Sequence, residues 1–174
     1  GHVVTGAQLM QIMPLAGRRA TLFLAPLNAA MAEFSIDTPL RQAAFLAQVG
    51  HEAGQLRYVR ELASGAAYEG RADLGNVIAG DGVRFKGRGL LQVTGRANYA
   101  ACGVALGLDL LAAPQLLEQT TCACRSAGWF WQSRGLNRLA DAGDQERVTR
   151  RINGGVNGLA ERLALYQAAR KVLA

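Results

Sequence analysis

The sequence predicts a mainly α-helical (α+β) domain with a small glycine-rich β-hairpin or sheet. Two observations carry this. Apolar residues recur at helical spacing, with caps and prolines at the ends, through most of the chain, and that pattern lapses from Gln55 to Gly95. Ten of the 21 glycines lie from Gly50 to Gly95, a density that suits loops and a cleft wall where backbone approaches a ligand. With 174 residues, half of them apolar, the chain can bury a core as one domain without staples.

Thr5-Gly6-Ala7-Gln8 has capping-box spacing and opens a short helix that stops by Pro14. A helical region follows over residues 17–34, which Pro26 is expected to split, because an interior proline loses a hydrogen bond and clashes with the preceding turn. Thr38 and Pro39 make a strong start for the next helix, and Gly54 supplies its stop. The interior of that helix, from Leu40 to Gly50, is polar only at Arg41, Gln42 and Gln48, so it should be buried on most sides. Arg41, Phe45, Gln48 and Glu52 share one stripe. In the glycine-rich region Asp81-Gly82 reads as a hairpin turn, with Val83, Phe85 and the segment 90–93 as short strands. Helical pattern returns over 96–106, 114–134 and 144–151, and Asn157 is placed to cap a last helix toward Leu173. The expected total is about seven helices in a single domain spanning 1–174. Gly1-His2 reads as a tag remnant, and no signal peptide or separate wall-binding domain is expected.

Nineteen Lys and Arg against thirteen Asp and Glu give a formal charge of +6 and a pI near 9.8. Such a balance favours a polyanionic partner. Seventeen of the cations are arginines scattered over many segments, a distribution that argues against a dedicated nucleic-acid surface. No apolar run is long enough for a membrane span. Cys102, Cys122 and Cys124 are odd in number, and Cys-Ala-Cys is too short for a zinc pair, so they read as small buried hydrophobes of a reducing compartment. A pairing of Cys102 with either of the others stays open.

Glu52 stands at the end of the buried helix, where unpaired carbonyls and apolar neighbours oppose ionisation of a carboxyl. Glu61, beside Arg57 and Arg60 in a polar stretch, should stay ionised. Two carboxyl groups with separated proton affinities are what acid–base hydrolysis of a glycosidic bond needs. The spacing alone is a weak signal, and a helix-terminal glutamate paired with an arginine is the plainer alternative. His51-Glu52 does not extend to a zinc motif, because position 55 is glutamine. His51 shares a stripe with Ala44 and Ala47 and is expected behind the site, orienting a neighbour or purely structural. Lys86-Gly87-Arg88-Gly89 lacks the spacing of a phosphate loop. Gln92, Thr94 and Asn98 offer two amides and a hydroxyl that can hold sugar hydroxyls or a water, though such groups at a helix start often serve as caps. Neither a metal nor an organic cofactor is expected.

Taken together, the His51-Glu52-Ala53-Gly54 helix end, the run Gly82-x-x-Phe85-Lys86-Gly87-Arg88-Gly89-Leu90-Leu91-Gln92-Val93-Thr94-Gly95-Arg96-x-Asn98-Tyr99, and Ile152-Asn153-Gly154-Gly155 with Asn157-Gly158 resemble glycoside hydrolase family 19, which includes plant-type chitinases and many phage endolysins. The resemblance runs from about Thr38 to the C-terminus, and among members the small single-domain phage lysins look most similar. It implies a lysozyme-like helical fold with a cleft and an inverting mechanism, with carboxyl groups roughly 6.5–9.5 Å apart. By motif, Glu52 matches the general acid, Glu61 the general base and Thr94 the hydroxyl that holds the attacking water. Gln92, Asn98, Tyr99 and Asn153 match substrate-cleft residues, and Arg162 matches an arginine that tunes the acid. Phage relatives carry an insertion after the base that this chain lacks, which makes Glu69 the competing base.

The resulting expectation is a monomeric muralytic enzyme that cuts the β-1,4 bond between the amino sugars of peptidoglycan glycan strands, with chitin oligomers as the alternative substrate. A phage lysin of this kind would accumulate in the host cytoplasm and reach the periplasmic wall with the help of a holin. A wall-binding module without turnover and a nucleic-acid binder using Lys86, Arg88 and Arg96 are the rival readings.

Overall fold

The computed structural model describes residues 1–174. Nine α-helices follow one another: α1 (Gly6–Ile12), α2 (Arg18–Glu33), α3 (Pro39–Glu52), α4 (Asp81–Arg84), α5 (Arg96–Leu106), α6 (Thr120–Ser133), α7 (Leu136–Asp141), α8 (Gln145–Asn153) and α9 (Leu159–Leu173). Short 3-10 turns lie at Pro14–Ala16, Ala66–Tyr68, Ala72–Leu74 and Pro114–Glu118. None of the helices is long and apolar enough to cross a membrane.

α3 is the axle of the molecule. Thr38 caps it by accepting from the Arg41 amide at 3.2 Å, and Pro39 takes its first position. Every residue from Gln42 to Gly50 is buried, because α9 packs along one side and α7 along another. Phe45 meets Trp131 of α6 edge-on, with ring centroids 5.4 Å apart, an arrangement that adds attraction to the burial of both rings. Four small residues of α3, three alanines and Gly50, let its neighbours come close. At Gly50 an added Cβ would stand 3.2 Å from a methyl of Leu165 on α9. Gln42, buried near the start of α3, is satisfied by His2, donating to its carbonyl at 2.6 Å.

Four sequence expectations change. α2 runs unbroken through Pro26: the carbonyl that loses its donor belongs to Leu22, an exposed residue one turn earlier on the same side as half-buried Pro26, so water can serve it. The hairpin at Asp81-Gly82 is instead the start of α4. Asp81 turns inward, accepting from the Ile78 amide at 3.1 Å and pairing with Arg96 through two bonds of 2.8 and 2.9 Å. The β component is confined to two antiparallel bridges, Arg60 with Arg88 and Arg88 with Val93. Asn157 does not cap α9; Gly158, in the left-handed region, stands at that position, and the Asn157 carbonyl accepts from Arg162 Nε at 3.0 Å. Nine helices replace the expected seven, the extra ones being the short α4 and α7.

The three cysteines are free and buried. Burial pushes the Cys102 and Cys124 thiols up to about 12, so these two behave as small hydrophobes, as the sequence suggests.

Candidate active site

The irregular segment between α3 and α5 is laid down on the end of α3. The Gln55 amide donates to the Gly50 carbonyl at 2.8 Å and the Tyr58 amide to the Ala53 carbonyl at 3.0 Å, turning the chain back after Glu52. Residues 59–61 then run beside 87–89: the Gly89 amide donates to Val59, and the Glu61 amide donates to Gly87, at 2.8 and 2.9 Å. The two glutamates therefore flank one turn of the chain, Glu52 at the end of α3 and Glu61 on a bridged loop.

Glu52 is held by Arg162. The guanidinium is 1% exposed and donates to Glu52 Oε1 at 2.6 Å, to Gln48 Oε1 at 2.5 Å and to the Asn157 carbonyl at 3.0 Å. Gln48 passes its amide on to Thr149 Oγ1 at 3.0 Å, and Thr149 donates to the Gln145 carbonyl at 2.9 Å. A buried cation needs such company, since desolvating it without partners is costly. The apolar surroundings that the neighbouring residues suggested for Glu52 are not found; the structure gives it Arg162, the arginine that the family resemblance implies, and partial exposure, with 28% of the side chain open. Its second oxygen, Oε2, has no protein partner. His51 stands beside rather than inside the site: Nδ1 lies 3.0 Å from Glu161 Oε1, and its ring presses against Gly158, where any Cβ would collide with it.

Glu61 accepts on both oxygens, from the Gly87 amide at 2.7 Å and the Tyr68 hydroxyl at 3.1 Å. Gly87 is the pivot. On its Cβ side lie Gln92 Oε1, 2.6 Å from where a Cβ would be, and Thr94 Oγ1 at 3.2 Å, so only glycine lets these two polar groups gather beside Glu61. Gln92, Thr94 and Asn98 line one cavity of about 220 Å³ together with Trp129, Arg134 and Arg151. Asn98 donates to the Thr94 carbonyl at 2.8 Å, a local bond that turns the end of the strand-like segment into α5. Asn153 closes the turn between α8 and α9 by accepting from the Asn157 amide at 3.3 Å.

Two candidates fall outside this group. Tyr99 is fully buried; its hydroxyl donates to the Lys86 carbonyl and accepts from Arg88 at 3.1 Å, so it fixes the glycine-rich loop from behind and presents nothing to a substrate. Burial also pushes its hydroxyl well above the usual tyrosine range. Glu69 caps α4, with its oxygens accepting from the Gly80 and Gly82 amides at 2.9 and 2.8 Å, and these bonds hold its carboxyl below the usual carboxylate range. That structural employment speaks against Glu69 as the base.

Sequence reasoning missed Tyr68, Arg134 and Arg151. Tyr68 lies in the glycine-rich stretch where no period marks a functional face. Arg134 and Arg151 end helices far apart in sequence and meet only in the fold. Gln48 was legible, because it stands one turn before Glu52 on the same stripe.

The geometry can be set beside known proteins. A family profile described as Chitinase class I matches residues 27–141, about two thirds of the chain. The chain belongs to glycoside hydrolase family 19. A glycosyl hydrolase family 19 domain-containing protein of Haemophilus influenzae is 34% identical over 160 residues, covering 74% of this chain and 78% of that protein. An endochitinase of Arabidopsis thaliana is 37% identical over 114 residues, which is 65% of this chain but 39% of the plant protein. Among solved structures, chitinase C from Streptomyces griseus superposes with a TM-score of 0.80 at 28% identity, covering 99% of this chain and 77% of that one. A class IV chitinase from Zea mays gives a TM-score of 0.70 at 29% identity, over 88% and 80%. The helical, lysozyme-like fold and the glycoside hydrolase class expected from the sequence are thereby shown.

Proposed function

We propose that this family 19 glycoside hydrolase cleaves the β-1,4 bond between the amino sugars of peptidoglycan with inversion at the anomeric carbon. The observation that carries the reading is the unequal bonding of two carboxyl groups flanking one turn. Glu52 has Oε1 committed to Arg162 and Oε2 free, so Oε2 can carry the proton delivered to the leaving oxygen. Glu61 accepts on both oxygens, the bonding pattern of a carboxylate, which suits a base that takes a proton from water. Thr94 and Gln92, gathered at Gly87 beside Glu61, supply a hydroxyl and an amide to hold that water and a sugar. Attack by water from the face opposite the leaving group, in a single displacement, inverts the anomer.

The net charge of +6 favours the acidic wall polymer over neutral chitin. The chitinase names of several relatives support the second reading, hydrolysis of chitin oligomers. Mass spectrometry of digested peptidoglycan decides between them: new reducing ends on the glycan are expected, and their sugar identifies the bond cut. Intact glycan strands beside hydrolysed chitin oligomers would overturn the peptidoglycan reading. Proton NMR of the first product should show the α-anomer; a β-anomer would overturn inversion.

A further inference from the structure

Arg134, Arg138 and Arg151 collect where α6, α7 and α8 meet. Arg134 and Arg151 line the cavity that holds Gln92, Thr94 and Asn98. Arg151 also lines a neighbouring cavity of about 290 Å³ with Arg138 and Arg147, so its side chain is a wall that the two cavities share. The arrangement is held by the chain itself: Arg151 Nη1 donates to the Arg134 carbonyl at 3.0 Å, and the Arg134 guanidinium stacks 3.5 Å from the centre of the Phe130 ring. Nine other arginines find carboxylates, among them Arg41 with Asp141, Arg88 with Glu118, Arg96 with Asp81 and Arg125 with Glu33, whereas Arg18, Arg19, Arg57, Arg84 and Arg170 stand unpaired but scattered over the chain. Even Arg147 next door lies 3.5 Å from Asp144. Arg134, Arg138 and Arg151 have no carboxylate within ion-pair distance.

Three cations without a counter-ion repel one another, and for one of them the cost is raised by burial, which pulls the Arg134 guanidinium below its ordinary value. The carbonyl bond and the ring stacking hold these side chains in place but leave their charges without a counter-ion. A guanidinium is a planar fork that matches a carboxylate through two parallel bonds. We propose that Arg134, Arg138 and Arg151 form an anion-reading extension of the cleft that takes the carboxylates carried on the peptide substituents of wall glycan. Continuity with Gln92, Thr94 and Asn98 means that a sugar chain lying on those groups would bring its acidic substituents against the arginines. This inference rests on the peptidoglycan reading, and it turns a diffuse net charge into a located specificity element: a neutral oligomer has no carboxylate to offer these three side chains.

The test uses binding, so that it does not depend on turnover. In the full chain carrying Glu52→Gln, calorimetry would compare soluble peptidoglycan strands with the same strands after their carboxylates have been converted to amides. The acidic strands should bind about tenfold more tightly. Adding Arg138→Gln and Arg151→Gln should erase that preference, while Arg138→Lys with Arg151→Lys should keep most of it, which separates loss of charge from loss of fold. Equal affinity for acidic and amidated strands, or a preference that survives the glutamine pair, overturns the inference. A preserved preference in a protein whose wild-type form leaves the strands uncut overturns the peptidoglycan hydrolysis reading alone.

Discussion

Glu52 and Glu61 are nine residues apart and are held by opposite means. Glu52 rides on a helix whose residues 42–50 are buried without interruption, and its partner Arg162, on α9, is bonded both to α3 and to the turn before α9. Glu61 belongs to no helix. A bridge to Gly87 and one tyrosine hydroxyl position it. The first carboxyl is fixed by the core, so disturbing its support costs stability; the second is fixed by a few local bonds, so disturbing them costs geometry alone. In the proposed mechanism, an acid that must meet the leaving oxygen at one point gains from the first arrangement, whereas a base that works through a water molecule tolerates the second.

Four measurements sharpen or break this contrast. Glu52→Gln should lower kcat on peptidoglycan by about a thousandfold while leaving the melting temperature within a few degrees; retained turnover would remove Glu52 from the chemistry. Arg162→Met should cost on the order of 3 kcal/mol in chemical denaturation, because Gln48 and Glu52 lose a shared donor inside the fold. If instead it unfolds no more easily than wild type, the core-fixed half of the comparison fails. Tyr68→Phe, which deletes only the bond to Glu61, should lower kcat about tenfold and change stability by about 1 kcal/mol or less. A large stability loss would show the tyrosine to be structural.

The smallest effect concerns acid. The Arg96 guanidinium holds the Asp81 carboxyl below its ordinary value, so the group binds its proton more weakly in the folded chain than in the unfolded one. Its stabilising contribution is full above about pH 4 and is lost as pH falls through the folded value. Melting temperature should therefore drop below pH 4, and Asp81→Asn should flatten that part of the profile. An identical acid limb in the variant would show that other carboxylates held low by arginines, such as Glu33 and Asp141, carry the effect.

What could be read from the sequence was what local chemistry decides. Thr5, Thr38 and Asp144 cap helices as their spacing suggests, since a cap depends on residues three positions away. The all-round apolarity of residues 42–50 announced a buried helix, and the glycine-rich motif announced the cleft. Errors came where a distant contact decides. Asp81-Gly82 carries a good turn signal, yet the pull of Arg96, fifteen residues on, draws Asp81 inward and makes a helix start. Pro26 would break an isolated helix, but packing against α6 holds α2 together. Apolar surroundings were expected for Glu52 because neighbours in sequence are apolar; Arg162, 110 residues away, was legible only through the family motif. Tyr99 was placed with the substrate-binding residues by the motif it shares with Asn98, yet consecutive helical positions point in different directions.

The buried cysteines have a practical consequence for anyone wishing to watch this protein move. With Cys102 and Cys124 raised to about 12 and all three thiols inside the fold, maleimide dyes at neutral pH should find little to react with in the native state. A single cysteine introduced at Val104, 86% exposed, would then accept a fluorophore selectively, with no need to strip out the native sulfurs first.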